Sequence, residues 1–363
     1  MKNTLGNSLS ITLFGESHGE AIGAVLDGVA AGITVDRDFI ANLLTLRRPV
    51  GSISTPRREA DNFKILSGVF EGKTTGTPIC IVIENADTHS ADYGEMVYKA
   101  RPSHADFTAN VKYNGFQDYR GGGHFSGRIT AALVAAAGII MPALNKKGIY
   151  IGTHIKRLGG VDDRDFCDYQ QDIKTLSSME FAVLDSKLQD DMINKIEQAR
   201  LQGDSVGGVL ETAVIGLPAG VGEPWFDTLE GALSHALFSI PAVKGVEFGA
   251  GFQIADLLGS EANDAFSSAN GKVITLTNNS GGIQGGISNG MPVIFRTAIK
   301  PTPTISKEQK TIDMRDNTET VLAAKGRHDP CIVHRARVVA DSVTALVLAD
   351  MLAMRFGTDW LGE

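Results

Sequence analysis

ITAALVAAAGIIMPAL, residues 129–144, is the longest apolar run in this 363-residue chain. At 16 residues it falls short of the about 20 that a membrane-spanning helix needs. Its alanines suit a buried helix whose small side chains let neighbours approach closely. The run also has an echo: GRITAALVAAAGI (127–139) resembles ADSVTALVLADML (340–352). GAVLDGVAAGI (23–33) likewise resembles GGVLETAVIGLPAGV (207–221). In each half a strand is followed by a G-x-x-A-G turn, a helical pattern and, much later, a core helix. This predicts two similar halves, roughly 1–150 and 200–363, within a single domain spanning 1–363, since no low-complexity linker divides them. The strands come in clusters rather than in strict β–α alternation, which favours an α+β fold with two sheets covering shared helices.

The flanking elements follow from periodicity. SLSITLF (8–14) and AIGAVLD (21–27) read as strands joined by the GESHG turn, and PICIVIEN (78–85) as a buried strand. VDRDFIANLLTLRR places apolar residues at 35, 39, 40, 43 and 44 on one helical face, with Thr34 as N-cap and Pro49 as stop. A second helix is expected over roughly 184–201, with Leu188, Met192, Ile196 and Ala199 on one face and Gly203 as its stop. GGVLETAVIG (207–216), GVEFGAGFQIA (245–255) and PVIFRTAIK (292–300) read as strands, and DSVTALVLADMLAMRF (341–356) as a closing helix.

Hydrophobic residues make up 43% and charged residues 21%, and the net charge is −8. An acidic body argues against a broad nucleic-acid-binding face, though not against a local cationic pocket. Cys80, Cys167 and Cys331 are odd in number and widely spaced, which suits reduced thiols rather than a disulfide framework or a zinc site. The N-terminal MKNTLGNSLS lacks the apolar core of a signal peptide, so a cytoplasmic protein with no membrane partner is expected.

FGESHG (14–19) fits the G-x-S-x-G pattern of a hydrolase nucleophile. That elbow needs a helix after the serine, whereas EAIGAVLD reads as a strand, so Ser17 is not read as a nucleophile. GVFEGKTTG (68–76) misses the phosphate-binding loop by one residue, because Ser67 stands where the glycine is required. The arginines say more. Arg47, Arg48, Arg57, Arg58, Arg101, Arg120, Arg128, Arg327, Arg335 and Arg337 sit mostly in turns with glycine, proline or serine. Arginine's planar fork suits carboxylates and phosphates, so the group points to a small polyanionic substrate. His18, His104, His124, His328 and His334 share these motifs. None has zinc-site spacing, and the flanks of His18 and His104 suit exposed proton-transfer groups.

Together these motifs resemble the chorismate synthase family nearly end to end. FGESHGEAIGAVLDGVAAG, RRPVGSISTPRREADNFKILSGVFEGKTTGTPI, RPSHADFTANVKY, YRGGG, GDSVGGVLE, SIPAVKGVEFGAGF, SGGIQGGISNG, KPTPTI and GRHDPC occur in the family's order. The resemblance implies a β-α-β sandwich of two antiparallel sheets around central helices, usually in a homotetramer. It implies conversion of 5-enolpyruvylshikimate 3-phosphate to chorismate and phosphate by a 1,4-elimination that requires reduced FMN. It also associates the activity with NADP and, with no attached reductase segment in sight, with an external flavin reductant. By motif match, His18 would donate a proton to the departing phosphate, with Ser17 supporting it. His104 would protonate or hold the reduced flavin, and Asp329 would help remove the substrate proton. Arg48, Arg57, Arg101, Arg128 and Arg327 would grip substrate and flavin anions. His124, Phe125, Ser126, Pro241, Ala242, Gly285, Lys300, Pro301, Thr302, Pro303 and Thr304 would line the flavin site; no metal is implied. Much of the family reads R-S-S-A-R-E after the triple glycine. Here the residues are His124-Phe125-Ser126-Gly127-Arg128-Ile129, so an imidazole able to donate a hydrogen bond replaces a guanidinium.

Overall fold

Up to residue 146 the chain forms β1 (Thr4–Leu5), β2 (Ser10–Gly15), β3 (Ala21–Asp27), α1 (Arg37–Arg47), β4 (Phe63–Ile65), β5 (Val69–Phe70), β6 (Lys73–Thr74), β7 (Ile79–Glu84), α2 (Asp106–Lys112) and α3 (Thr130–Lys146). There follow β8 (Tyr150–Leu158), β9 (Val161–Asp162), α4 (Tyr169–Leu176), α5 (Gln189–Leu201), β10 (Gly208–Ile215), α6 (Leu229–Leu237) and β11 (Val243–Phe248). The chain closes with α7 (Gly259–Ala262), β12 (Phe266–Ala269), β13 (Lys272–Thr275), β14 (Ile283–Gln284), β15 (Ile287–Ser288), β16 (Val293–Ile299), β17 (Gln309–Asp313), β18 (Thr318–Leu322) and α8 (Val333–Phe356). The computed structural model describes residues 2–49, 51–55, 60–86, 97–324 and 328–362.

Two five-stranded antiparallel sheets dominate, ordered β1-β2-β3-β7-β4 and β11-β16-β10-β8-β9. In β7 and β16 buried and part-buried residues alternate, so each strand turns one apolar face inward. Helix α3 covers β3 and β7, α8 covers β8 and β10, and the two helices pack on each other. The fold is therefore α+β, with two antiparallel sheets enclosing central helices. The stretch Gly127–Lys146 is apolar and long enough to cross a membrane, but 83% of the tested window is buried inside the protein. Alanine on every face of α3 lets α1 and α8 approach closely.

Helix α8 is buried from Val333 to Ala353 except at Arg335, and it carries polar groups into the core. Thr153 donates to the Asp341 carboxylate at 2.6 Å and pairs with Thr212 at 2.7 Å. Burial pushes the Asp341 carboxyl up to about 6, against the pull of Arg337. Asp350 accepts from the backbone N–H groups of Asn7, Ser8 and Leu9, at 2.7–3.0 Å, which ties the N-terminal strand to α8.

Several boundaries differ from the sequence reading. Asp36, not Thr34, caps α1, because its carboxylate accepts from the Phe39 N–H. The expected strand 245–255 stops at Phe248, and Gly251–Asp256 turns as a 3₁₀ helix. Helix α8 starts eight residues before the expected Asp341. Strand β8 and helices α4 and α6 are further elements that the sequence reading did not name, although α4 buries Ile173 and Leu176, and α6 Leu229, Leu233 and Leu237, at helical spacing.

Candidate active site

Between the end of α1, the start of α3, the start of α8 and the segment after β16 lies a cavity of about 1020 Å³. Three arginines converge there on one carboxylate. Arg48 Nε and Arg47 Nη1 lie 3.7 and 3.6 Å from Asp61 Oδ2, and Arg128 Nη1 donates to Oδ1. The Asp61 side chain is 1% exposed. Three guanidinium groups thus gather beside the cavity, on a chain whose net charge is −8. Arg47 also donates to Thr130 Oγ1 and the Gly127 carbonyl, and Arg128 to Asn85 Oδ1. Arg48 Nε makes no hydrogen bond among the described residues. At the head of α8, Asp329 accepts from the Thr55 N–H at 2.8 Å and forms an ion pair with Arg335 at 2.7 Å. The Thr302 hydroxyl donates to the Asp329 carbonyl, joining the KPTPT and RHDP motifs.

The turn Arg120–Phe125 holds Gly121, Gly122 and Gly123 at φ 60°, 95° and 53°. What packs behind them explains the glycines. A Cβ on Gly121 would lie 2.2 Å from His18 Cε1, and one on Gly122 would lie 3.2 Å from His104 Cε1. Consecutive glycines of one turn thus back the two histidines. His104 lines the cavity, and its Nδ1 lies 2.7 Å from Asp106 Oδ1. His18 does not line it: at 6% exposed, it sits behind Gly121, which does. Its flanking residues therefore do not expose it, contrary to the sequence expectation. Ser17 donates to the Arg120 carbonyl at 3.2 Å, so His18 Nδ1, 3.1 Å away, is the donor to the Ser17 hydroxyl. Ser17 lies in the β2–β3 turn with no helix after it, which removes the hydrolase geometry.

His124, Phe125, Ser126, Pro241, Ala242, Lys300, Thr302, Pro303 and Thr304 also line the cavity. His124 Nδ1 donates to the Gly15 carbonyl at 2.8 Å, so this imidazole braces β2. The Lys300 N–H bonds to the Ala242 carbonyl, and its ammonium bonds to the Ser103 carbonyl. Burial, with Lys244 nearby, lowers the Lys300 pKa. Pro301 and Gly285 lie outside the cavity lining, Gly285 in the tight β14–β15 turn. Arg57 and Arg327 lie outside the described residues. Arg101 reaches the cavity, but its Nε and Nη2 are both taken by Asp106. His334 is not a site residue: it is 1% exposed, bonds to Ser54 at 2.7 Å, and burial pushes its pKa down to about 3. Asp61 and Asp106 escaped the sequence reading. Asp106 has a local signal, standing five residues after Arg101 and two after His104; Asp61 is 67 residues from Arg128 and has none.

A model of the chorismate synthase family matches residues 9–353. The chain belongs to the chorismate synthase family. Chorismate synthase of Pyrococcus abyssi is 47% identical over 350 residues, covering 96% of this chain and 97% of that one. That of Lachnoclostridium phytofermentans is 49% identical over 352 residues, covering 96% and 95%. A crystal structure of chorismate synthase superposes with a TM-score of 0.77 at 30% identity, covering 98% of this chain and 94% of that one. The function is thus that of a chorismate synthase, a lyase of the shikimate pathway. Among the described residues no cluster of histidine, cysteine, aspartate and glutamate could hold a metal ion.

Proposed function

We propose that the cavity holds reduced FMN together with 5-enolpyruvylshikimate 3-phosphate and catalyses loss of phosphate by 1,4-elimination. The observation that carries this reading is the convergence of Arg47, Arg48, Arg128 and His104 on one cavity. At about 1020 Å³ it is at the large end for ligand pockets, which suits two ligands together. The lining also fits anionic groups. Arg48 Nε, Thr55 Oγ1 and Arg335 Nε are buried there without a hydrogen bond among the described residues.

In this reading Lys300, Thr302, Pro303, Thr304, Pro241, Ala242, Ser126, Phe125 and His124 hold the cofactor, with Pro301, Gly285 and Arg327 assigned by motif alone. Bound there, reduced FMN would supply transient electron density for the elimination. His104 presents Nε2 to the cofactor edge. His18 gives a proton to the departing phosphate, and the missing side chain at Gly121 keeps its ring within reach of the cavity. Asp329 receives the substrate proton, so the C–O and C–H bonds that break are both accounted for. Arg48, Arg57 and Arg128 complement the substrate's carboxylates and phosphate, whereas Arg101, expected to join them, spends its guanidinium on Asp106. The finer reading extends to a monofunctional carbon–oxygen lyase in the cytoplasm, supplied by an external flavin reductant or NADP-linked reduction. Exposed Trp225, Phe226, Phe252 and Phe266 support assembly into a homotetramer. The matching order of strands and core helix in 1–150 and 200–363 supports two related halves in one domain.

The test is anaerobic phosphate release from 5-enolpyruvylshikimate 3-phosphate. Release only with reduced FMN is expected, and equal turnover without flavin would sink the mechanism. Arg48→Ala is expected to raise the substrate KM roughly 10- to 150-fold, as for loss of a charge-assisted hydrogen bond. Turnover at saturation should change little if the contact acts equally in ground and transition states. Salt should weaken substrate binding more in the parent than in the variant. Equal KM values across a salt series would place Arg48 outside the substrate site.

A further inference from the structure

We propose that Asp106 is a positioning residue that holds His104 in the Nδ1–H tautomer, with Nε2 presented to the cavity for proton transfer. The proposal rests on the reading of the cavity given above. RPSHAD packs the whole device into six residues, 101–106. Asp106 Oδ1 accepts from His104 Nδ1 and from Arg101 Nη2, both at 2.7 Å. Oδ2 accepts from the Arg101 N–H at 2.9 Å and from Arg101 Nε at 2.7 Å. Four donors therefore converge on one largely buried carboxylate. Burial by itself would raise its pKa, but the hydrogen bonds from Arg101 and His104 prevail and hold it well below the usual carboxylate range. An ionised carboxylate only accepts, so the proton between the two residues sits on Nδ1.

The ring has little freedom to turn. Flipped over, it would offer a C–H to Asp106 and lose the hydrogen bond. On the other side the Gly122 backbone passes so close that a Cβ there would lie 3.4 Å from Nε2. Arg101 acts through the same carboxylate. Its bidentate pairing with Asp106 makes it part of the support for His104 rather than a free clamp for substrate.

Histidine-selective ¹⁵N labelling tests this, with the His104 signals assigned by their loss in His104→Gln. Neutral His104 in the wild-type protein is expected as the Nδ1–H tautomer. In Asp106→Ala it should move toward Nε2–H, and turnover should fall roughly 10- to 100-fold with KM little changed. Asp106→Asn keeps a carbonyl acceptor and should lie between the two. A general packing defect would lower turnover without moving the tautomer. Wild-type His104 found as Nε2–H would overturn the proposal whether or not Asp106→Ala folds. So would a tautomer switch that leaves turnover intact, or a turnover loss with the tautomer unchanged. Failure of the wild-type protein to release phosphate with reduced FMN would instead overturn the functional reading and leave the tautomer result standing.

Discussion

Gly121→Ala is expected to lower phosphate release at least about 100-fold while the protein remains folded. The added methyl would sit 2.2 Å from His18 Cε1 and 2.5 Å from Nδ1, so the ring or the turn must move. Misplacing a proton-transfer group by about 1 Å costs on the order of 100-fold, and losing one altogether costs about 10²–10⁴. The backbone cost is smaller. A non-glycine residue at φ 60° pays about 1–2 kcal/mol, which most folded proteins survive. Catalysis should therefore suffer far more than stability. Gly122→Ala places its methyl 3.2 Å from His104 Cε1, a milder conflict, and should cost less. The measurement is anaerobic turnover of both variants beside their urea unfolding curves. A folded Gly121→Ala protein within about threefold of the parent would remove His18 from the chemistry.

His154→Leu is expected to destabilise the protein by about 3–5 kcal/mol, the range for breaking a buried ionic cluster from one side. His154 is fully buried, with Asp163 at 2.9 Å on one ring nitrogen and Glu211 at 3.1 Å on the other. Glu211 is next in register to Arg296, and Arg296 to Glu247, so charges of alternating sign cross the second sheet. Burial would lower the His154 pKa, but its two carboxylate partners raise it above the ordinary 6.5. The sign follows: this stabilisation is fully present below pH 6.5 and is lost as pH rises through the higher folded-state value. Asp163 works in the opposite sense. Burial opposes ionisation, yet His154 and the N–H groups of Leu184 and Asp185 lower its pKa below 3.8. Its contribution is lost only as pH falls through that depressed value. The gap between parent and His154→Leu should accordingly be widest between about pH 4 and 6.5 and shrink on the alkaline side. Urea unfolding across pH at fixed protein concentration measures it. A loss under about 1 kcal/mol, flat with pH, would show that His154 is neutral and its cluster incidental.

The elements of this protein were legible to different degrees. The apolar run at 129–144 and its echo near 340 announced two core helices because every face of each helix is buried, and burial on all faces leaves a mark in composition alone. Strand β7 was legible for a similar reason, since PICIVIEN is a continuous apolar run with β-branched residues. Strand β8 was not, because YIGTHIKRL mixes Thr153 and His154, two polar residues buried for their partners rather than for hydrophobicity.

Motif residues fixed the chemistry: arginine for anions, histidine for protons, and a triple glycine in which each residue can take a left-handed turn. Asp106 was not read, although it stands two and five residues from its partners His104 and Arg101, a spacing that keeps them within reach of one another. Only the tertiary structure decided the remainder. Asp61 gathers Arg47, Arg48 and Arg128 because α1 packs directly on α3, and no local pattern encodes the contact with Arg128, 67 residues away. It likewise placed His18 behind Gly121 and His104 behind Gly122, because the turn at 120–125 threads between loops that are far apart in sequence. It set His154 opposite Glu211 through strand register, where a slip of one residue would turn both side chains to the other face. Local sequence specifies residue chemistry and element type, whereas long-range packing specifies which charges share a dielectric.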